Sequence, residues 1–295
     1  MLWNPDTSRG RCAPEECLKL TILVDNNTII DRYYLGEPGF SCLLESSGTR
    51  ILFDTGYSGI FLDNAATLGI DLATVDAVVI SHGHDDHTGG LRHWLARDTT
   101  AASGRQPTGL PLLVAHPRAF DPKRYGSLSI GSPVALDELA GHFEPRLSAE
   151  PLDLGGGFVF LGEIPRQGGI EGTTPIGKTD RPGGTIPDLL PDDTAIAWKG
   201  SEGVVVITGC SHAGIVNIVE HAVRVCGDDR VVDIVGGFHL LGATGERLGF
   251  TASRLGALNP RALHPCHCTD FAARMSLAAS LPVFEVGVGM ELEYR

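Results

Sequence analysis

The sequence predicts an α/β protein in which two β-rich halves are each faced with helices. Two observations carry that prediction. Short alternating apolar segments crowd the start of the chain, and buried strands alternate with amphipathic helices toward its end. With 295 residues, 42% apolar and 20% charged, the chain has material for a sizeable core.

The elements follow in order. Leu18, Leu20, Ile22 and Val24 alternate with Lys19, Thr21 and Leu23 and read as a strand. Phe40, Cys42 and Leu44 repeat the pattern, and residues 50–53 make a third strand after the turn at Ser47-Gly48, predicting an antiparallel meander. Residues 75–80 are nearly all apolar, as expected of a strand covered on both faces. Leu91, Trp94 and Leu95 then come at helical spacing. In the second half, residues 194–198, 204–207 and 231–235 read as strands, and Ile215, Ile218, Val219, Ala222 and Val223 mark a helix face. Helices are expected over 245–258 and 271–279, with short strands at 262–263 and 283–286. Residues 98–109 and 165–191 read as loops. The second is long for a compact domain and is expected to serve the active site. No repeat or linker divides the sequence, so a single domain over 1–295 is expected, with halves at 18–150 and 151–295.

Composition narrows the function. Thirty-six acidic residues against 23 Lys and Arg give a net charge of −13. That balance argues against nucleic acid, which needs a basic stripe, and against anionic lipid. No apolar stretch is long enough for a transmembrane helix, and the first residues lack the basic and apolar parts of a signal peptide. The seven cysteines, an odd number, fit a reduced, cytoplasmic chain better than a disulfide scaffold. Cys12 and Cys17 could still bind metal or bond under oxidation. The expected partner is a small anionic substrate.

The chemical signal is Ser81-His82-Gly83-His84-Asp85-Asp86-His87-Thr88-Gly89-Gly90. Three histidines and two aspartates follow a buried strand where a helix begins. Imidazole and carboxylate are common ligands for zinc and similar divalent ions. In an extended segment His82 and His84 point to the same side, and Asp86 and His87 fall at the turn into the helix. One loop could therefore serve two adjacent metals. A solvated polar loop is the bland alternative, and three histidines in six residues weigh against it.

The pattern His82-x-His84-x-Asp86-His87 resembles the signature of the metallo-β-lactamase superfamily. Phe53-Asp54-Thr55-Gly56 resembles that family's Asp-x-Gly motif. The resemblance implies a four-layer αββα sandwich with metals held between loops at one edge. The runs Thr208-Gly209-Cys210-Ser211-His212, Gly236-Gly237-Phe238-His239 and His264-Pro265-Cys266-His267-Cys268 are similar to one branch in particular. That branch contains synthases joining a dihydropterin to a ribofuranosyl-aminobenzene phosphate. Gly162-Glu163-Ile164-Pro165-Arg166 is similar to a motif of the same branch.

Carried over residue by residue, the resemblance implies His82 and His84 on a first metal, Asp86 and His87 on a second, and His267 as a later ligand. Where many members have a bridging Asp, this chain has Cys210. It reads either as a thiolate ligand or as a small buried residue, with His212 a further candidate ligand. Asp192 and Asp193 are weaker candidates, since such residues after proline are usual in turns. The resemblance gives Asp54 a supporting role, holding the metal loop through hydrogen bonds. His239, after two glycines, could reach the cleft as a substrate contact or acid. Cys266 and Cys268 alternate with His267 and are expected to face away from it. Arg166 and Lys178, in or beside the long loop, could meet a substrate anion.

The expected activity is that of a metal-dependent hydrolase of a small anionic ester or phosphoester, using a metal-bound hydroxide. Two divalent ions are expected, zinc first, with manganese or iron as alternatives. Asp86 would bind metal and orient the nucleophile. The alternatives are a condensing synthase of the branch above and an iron-dependent redox enzyme.

Overall fold

Leu18, Leu20 and Ile22 point into one apolar cluster while Leu23 and Val24 point into another, so the first strand is covered on both faces. The computed structural model describes residues 17–96, 109–167 and 169–295. Its first half runs β1 (Leu18–Val24), β2 (Ser41–Ser46), β3 (Thr49–Phe53), α1 (Ile60–Thr67), β4 (Ala77–Val79), α2 (Asp85–Thr88), α3 (Leu91–Ala96), β5 (Leu112–Ala115), β6 (Lys123–Tyr125), β7 (Leu128–Ser129) and β8 (Glu144–Leu147). The second continues with β9 (Leu152–Gly155), β10 (Phe158–Phe160), β11 (Lys178–Arg181), β12 (Gly184–Pro187), β13 (Ala195–Gly200) and β14 (Gly203–Thr208). It closes with α4 (Ile215–Cys226), β15 (Val231–Gly237), α5 (Gly245–Ala257), β16 (Ala262–Cys266), α6 (Phe271–Ala278) and β17 (Glu291–Tyr294).

Two sheets form the centre. One has seven strands in the order β17-β1-β2-β3-β4-β5-β8, the other six in the order β16-β15-β14-β13-β10-β9. Between them lie Leu20, Ile22, Phe53 and Val79 from the first sheet and Phe160, Val205, Ile207 and Val235 from the second. The outer face of the first sheet packs on Phe61 of α1 and Trp94 of α3. Val204 and Val206 point the other way from Val205 and meet Ile215, Ile218 and Val219 of α4, with Leu255 of α5 and Leu277 of α6. The layers are helix, sheet, sheet, helix, as the resemblance implies. Each fully buried Leu, Ile or Phe here contributes about 1.5–3 kcal/mol.

The strands that matter for function are the parallel ones: β3, β4, β5 and β8 in one sheet, β14, β15 and β16 in the other. In α/β sheets, ligands gather beyond the carboxyl ends of parallel strands. Asp54 follows β3, residues 81–87 follow β4, Cys210 and His212 follow β14, His239 follows β15 and His267 follows β16.

Several expectations need correction. Residues 283–286 do not form the closing strand: Val283 makes only an isolated bridge to Leu263, and the chain closes with β17 beside β1. The 165–191 segment is not all loop, because β11 and β12 pair as a hairpin and β11 also pairs with β6. Its Gly183-Gly184 turn, both residues at positive φ, is what lets the chain reverse there. Most of the loop expected at 98–109 lies outside the described residues. Cys42, Cys210, Cys226, Cys266 and Cys268 are free, Cys17 is disulfide-bonded, and Cys12 lies outside the described residues. No helix among the described residues is long and apolar enough to cross a membrane.

Candidate metal centre

The site is built from strand ends whose backbone is bent in an unusual way. Asp54, Ser211, His239 and His267 all have φ between 51° and 60°, the left-handed region that side chains other than glycine rarely adopt. Each follows a different strand, and each turn throws its loop across the shared edge. Such strain collects where the surrounding structure needs one side chain in one place.

Asp54 anchors the loop of residues 81–87. Its Oδ1 accepts the Ser81 N–H at 2.7 Å, and its Oδ2 accepts the Ser81 hydroxyl at 2.7 Å. The same Oδ2 lies 2.6 Å from Nδ1 of His87, and both residues are fully buried. A proton on Nδ1 leaves the Nε2 lone pair of His87 directed into the site. Gly209 permits this packing, since a Cβ there would stand 2.1 Å from the Ser81 hydroxyl.

Two groups of ligand atoms lie side by side. In the first, His82 Nε2 is 3.1 Å from His84 Nδ1 and 3.2 Å from His212 Nε2. In the second, His87 Nε2 is 3.2 Å from His267 Nε2, and Asp86 Oδ2 lies 3.3 Å from His267 Nε2 and 3.7 Å from His87 Nε2. Cys210 Sγ joins His82 and His87 in a third group, so it stands between the other two. Each group could hold a metal ion.

The electrostatics fit a cation. Burial holds His82 and His212 well below the usual imidazole range and brings His84 down to about 4. These three rings are therefore neutral and offer lone pairs rather than protons. Nε2 of His84 and Nδ1 of His212 are buried without a hydrogen-bond partner among the described residues. Burial also presses on His87, but Asp86 and Asp54 outweigh it and raise the ring to about 9. Although burial works against the charged form, His87 and His267 hold the Asp86 carboxyl well below its usual range. A field that retains a proton on His87 would equally retain a divalent ion.

Sulfur extends the centre. Cys210 Sγ lies 3.1 Å from Cys268 Sγ and 3.6 Å from His239 Nδ1, and these three also form a group able to hold metal. The main-chain N–H of His239 donates to Cys268 Sγ at 3.2 Å. Burial opposes a thiolate at Cys268, yet Cys210, His267 and His239 together hold it well below the ordinary thiol range. The Cys268 contact and burial push Cys210 up.

The sequence family described as the metallo-beta-lactamase superfamily matches residues 35–220, most of the chain and the whole of the Asp54 and His82–His87 motifs. The chain belongs to that superfamily. It is 30% identical over 273 residues to the 7,8-dihydropterin-6-methyl-4-(beta-D-ribofuranosyl)-aminobenzene-5'-phosphate synthase of Methanocaldococcus jannaschii, covering 87% of this chain and 89% of that protein. An uncharacterized protein of the same archaeon is 30% identical over 260 residues, covering 88% and 93%. A crystal structure described as a metal-dependent hydrolase of the beta-lactamase superfamily superposes with a TM-score of 0.79 at 30% identity, covering 94% of this chain and 99% of that one.

Against the superfamily pattern, the structure brings together His82, His84, Asp86, His87, Cys210, His212, His239 and His267, with Asp54 behind them. It places other candidates elsewhere. Asp192 accepts the Gly83 N–H at 2.8 Å and pairs with Lys123, so it braces the 81–87 loop from outside the ligand groups. Asp193 accepts the Ala213 N–H, and burial raises its carboxyl to about 7. Arg166 donates Nη2 to the Leu190 carbonyl at 2.7 Å and lines a separate cavity with Glu163 and His221. Lys178 is exposed on β11, outside the lining of the cavity that His212 and His239 share. Neither cation is among the residues lining the cavity that His212 and His239 share.

Cys268 is the main correction. Strict alternation turns it away from His267, but β16 ends at Cys266, and the left-handed turn at His267 breaks the alternation. Cys266 does stay buried in the inter-sheet core. Sequence reading also misses Asp25 and Asn26. Asp25 Oδ1 accepts the His267 N–H at 2.9 Å, and Asn26 Nδ2 donates to the His267 carbonyl at 3.3 Å. Lys123 is missed as well, a buried lysine between Asp188 and Asp192. A clue to Asp25 and Asn26 was present: polar residues directly after an apolar strand, as at Asp54.

Proposed function

We propose that this chain is a metal-dependent enzyme that hydrolyses an ester or phosphoester of a small anionic substrate. The observation that supports it most is the pair of ligand groups, His82/His84/His212 and Asp86/His87/His267, with Cys210 between them. In the first group His82 Nε2 faces both His84 Nδ1 and His212 Nε2, and one imidazole nitrogen cannot pair with both. Two divalent ions, when bound, activate water and polarise a phosphoryl or carbonyl group. Zinc suits the mixture of imidazole, carboxylate and sulfur better than manganese does.

The residues of the chain have separable tasks. His82, His84 and His212 would hold the first ion and Asp86, His87 and His267 the second, with Cys210 a further candidate ligand between the two groups. Asp86 orients the attacking water through its carboxylate. His239 lines the cavity with Nδ1 toward Cys210, which leaves its other ring nitrogen for the substrate's leaving group.

A second reading is favoured by the 30% identity over most of the chain to the dihydropterin synthase. The same centre would then assist condensation of a pterin diphosphate with an aryl ribosyl phosphate, releasing diphosphate. Metal content measured by elemental analysis, on chain purified without chelator and beside H82A/H84A, tests the common part: about two ions per chain, lost in the variant, are expected. A panel of phosphomonoesters, phosphodiesters and lactones, run beside the condensation assay, separates the two readings. Hydrolysis without condensation supports the first, and diphosphate release with both pterin and aryl substrates supports the second. A chain that stays metal-free on reconstitution overturns both.

A further inference from the structure

His212 and His239 line a cavity of about 570 Å³ that the start of α5 also lines. Arg247 lies there, in the first turn of that helix. Its position runs against helix chemistry, because the partial positive charge at a helix N-terminus disfavours a cation. Its main-chain N–H is capped by the Thr244 hydroxyl, so the backbone is satisfied. The guanidinium is not: Nε and Nη2 are both buried without a hydrogen-bond partner among the described residues.

Those two atoms form one edge of the guanidinium, the edge that grips two oxygens of a phosphate or carboxylate at once. The acids nearby do not occupy it. Glu171 is buried and influenced by Arg247, but its Oε1 accepts the Asn217 N–H and its Oε2 has no partner, so the two side chains do not pair. Glu246 lines the same cavity but forms no ion pair with Arg247 among the described residues. A buried guanidinium edge unpaired among the described residues, in the cavity that His212 and His239 line, breaks a local rule without a structural return, and such departures mark functional positions.

We propose that Arg247 is a specificity-determining residue whose Nε–Nη2 edge binds a terminal phosphate monoester of the substrate, at the end remote from the reacting bond. This rests on the reading of the cavity as a substrate site. It gives Arg247 the anion-recognition task expected of Arg166 and Lys178. The first turn of α5 adds a favourable field for a dianion at that place.

The test is calorimetric binding of ribose 5-phosphate and of ribose to the full chain, both metal-loaded and chelator-treated. The wild-type chain is expected to bind the phosphate in both states and to ignore ribose. R247Q should bind at least tenfold more weakly, and R247K, which keeps the charge and loses the fork, should fall between. If R247Q fails to fold by circular dichroism, R247K decides. Wild-type binding that is absent at millimolar concentrations, or affinity unchanged in R247Q or R247K, overturns the proposal. Phosphate binding that depends on Arg247 in a chain with no turnover overturns the enzymatic reading and leaves this site standing. Turnover with binding independent of Arg247 does the reverse.

Discussion

Nδ1 of His87 lies 2.6 Å from Oδ2 of Asp54, the shortest contact among the described residues that ties a ligand-group side chain to a residue outside those groups. Asp54 Oδ1 is already taken by the Ser81 N–H, so the carboxylate cannot rotate. In D54N one oxygen becomes an N–H donor. Facing Ser81 it meets a donor, and facing His87 it forces the ring proton onto Nε2, into the metal position. Asn tolerates the left-handed backbone at this residue, so the fold should survive. Affinity for the second ion should drop about 10–100-fold. Competition with a chromophoric chelator measures it, and wild-type affinity in D54N would remove Asp54 from the centre.

Cys210 stands where two ligand groups meet, and Cys268 is 3.1 Å away. If sulfur binds metal, the cobalt-substituted chain should show a sulfur-to-cobalt charge-transfer band in the near ultraviolet. C210S should abolish or strongly weaken that band. C268S should shift it, because the thiol contact that tunes Cys210 would be lost. A cobalt chain with only ligand-field bands would reduce Cys210 to a packing residue.

How much of this was legible in the sequence depends on the distance over which each signal acts. His82 to His87 were readable because all their positions follow from one strand end and one helix start. Asp54 and His267 were readable because short motifs mark their turns. Cys268 was not, because alternation holds only while the strand continues, and a single left-handed residue at His267 reverses the side chain's direction. Arg247 and Lys123 were not, because what distinguishes them is the absence or presence of a partner far along the chain. Lys123 meets Asp188 and Asp192, and no periodicity encodes a pairing of that range. The 165–191 segment shows the converse error: its glycines and prolines spell loop, yet pairing with β6 makes part of it a strand.

Lys123 Nζ lies 3.0 Å from Asp192 Oδ1 and 3.4 Å from Asp188 Oδ2, with all three side chains buried. Asp192 in turn holds the Gly83 N–H between the first two metal-loop histidines. K123M leaves two buried carboxylates uncompensated and should destabilise the chain by about 3–5 kcal/mol. The triple variant K123M/D188N/D192N removes the stranded charges and should recover much of that loss. Urea midpoints of the three proteins measure both effects. A K123M midpoint within error of the wild type would show that the carboxylates are neutral without lysine.

Glu171 supplies the pH dependence. Burial raises its carboxyl from 4.5 to about 7, against the pull of the Asn217 N–H and Arg247. A folded-state pKa above the unfolded value means that the unfolded chain releases its proton first. The stabilising contribution is then complete below pH 4.5 and is lost as pH rises through about 7. E171Q stays neutral throughout and keeps an acceptor for Asn217. Its stability relative to wild type should therefore improve between pH 4.5 and 8, by up to about 3 kcal/mol for a shift of this size. Denaturant unfolding of both proteins across that range measures the difference. A difference that does not change with pH would mean that Glu171 ionises in the folded chain as readily as in the unfolded one.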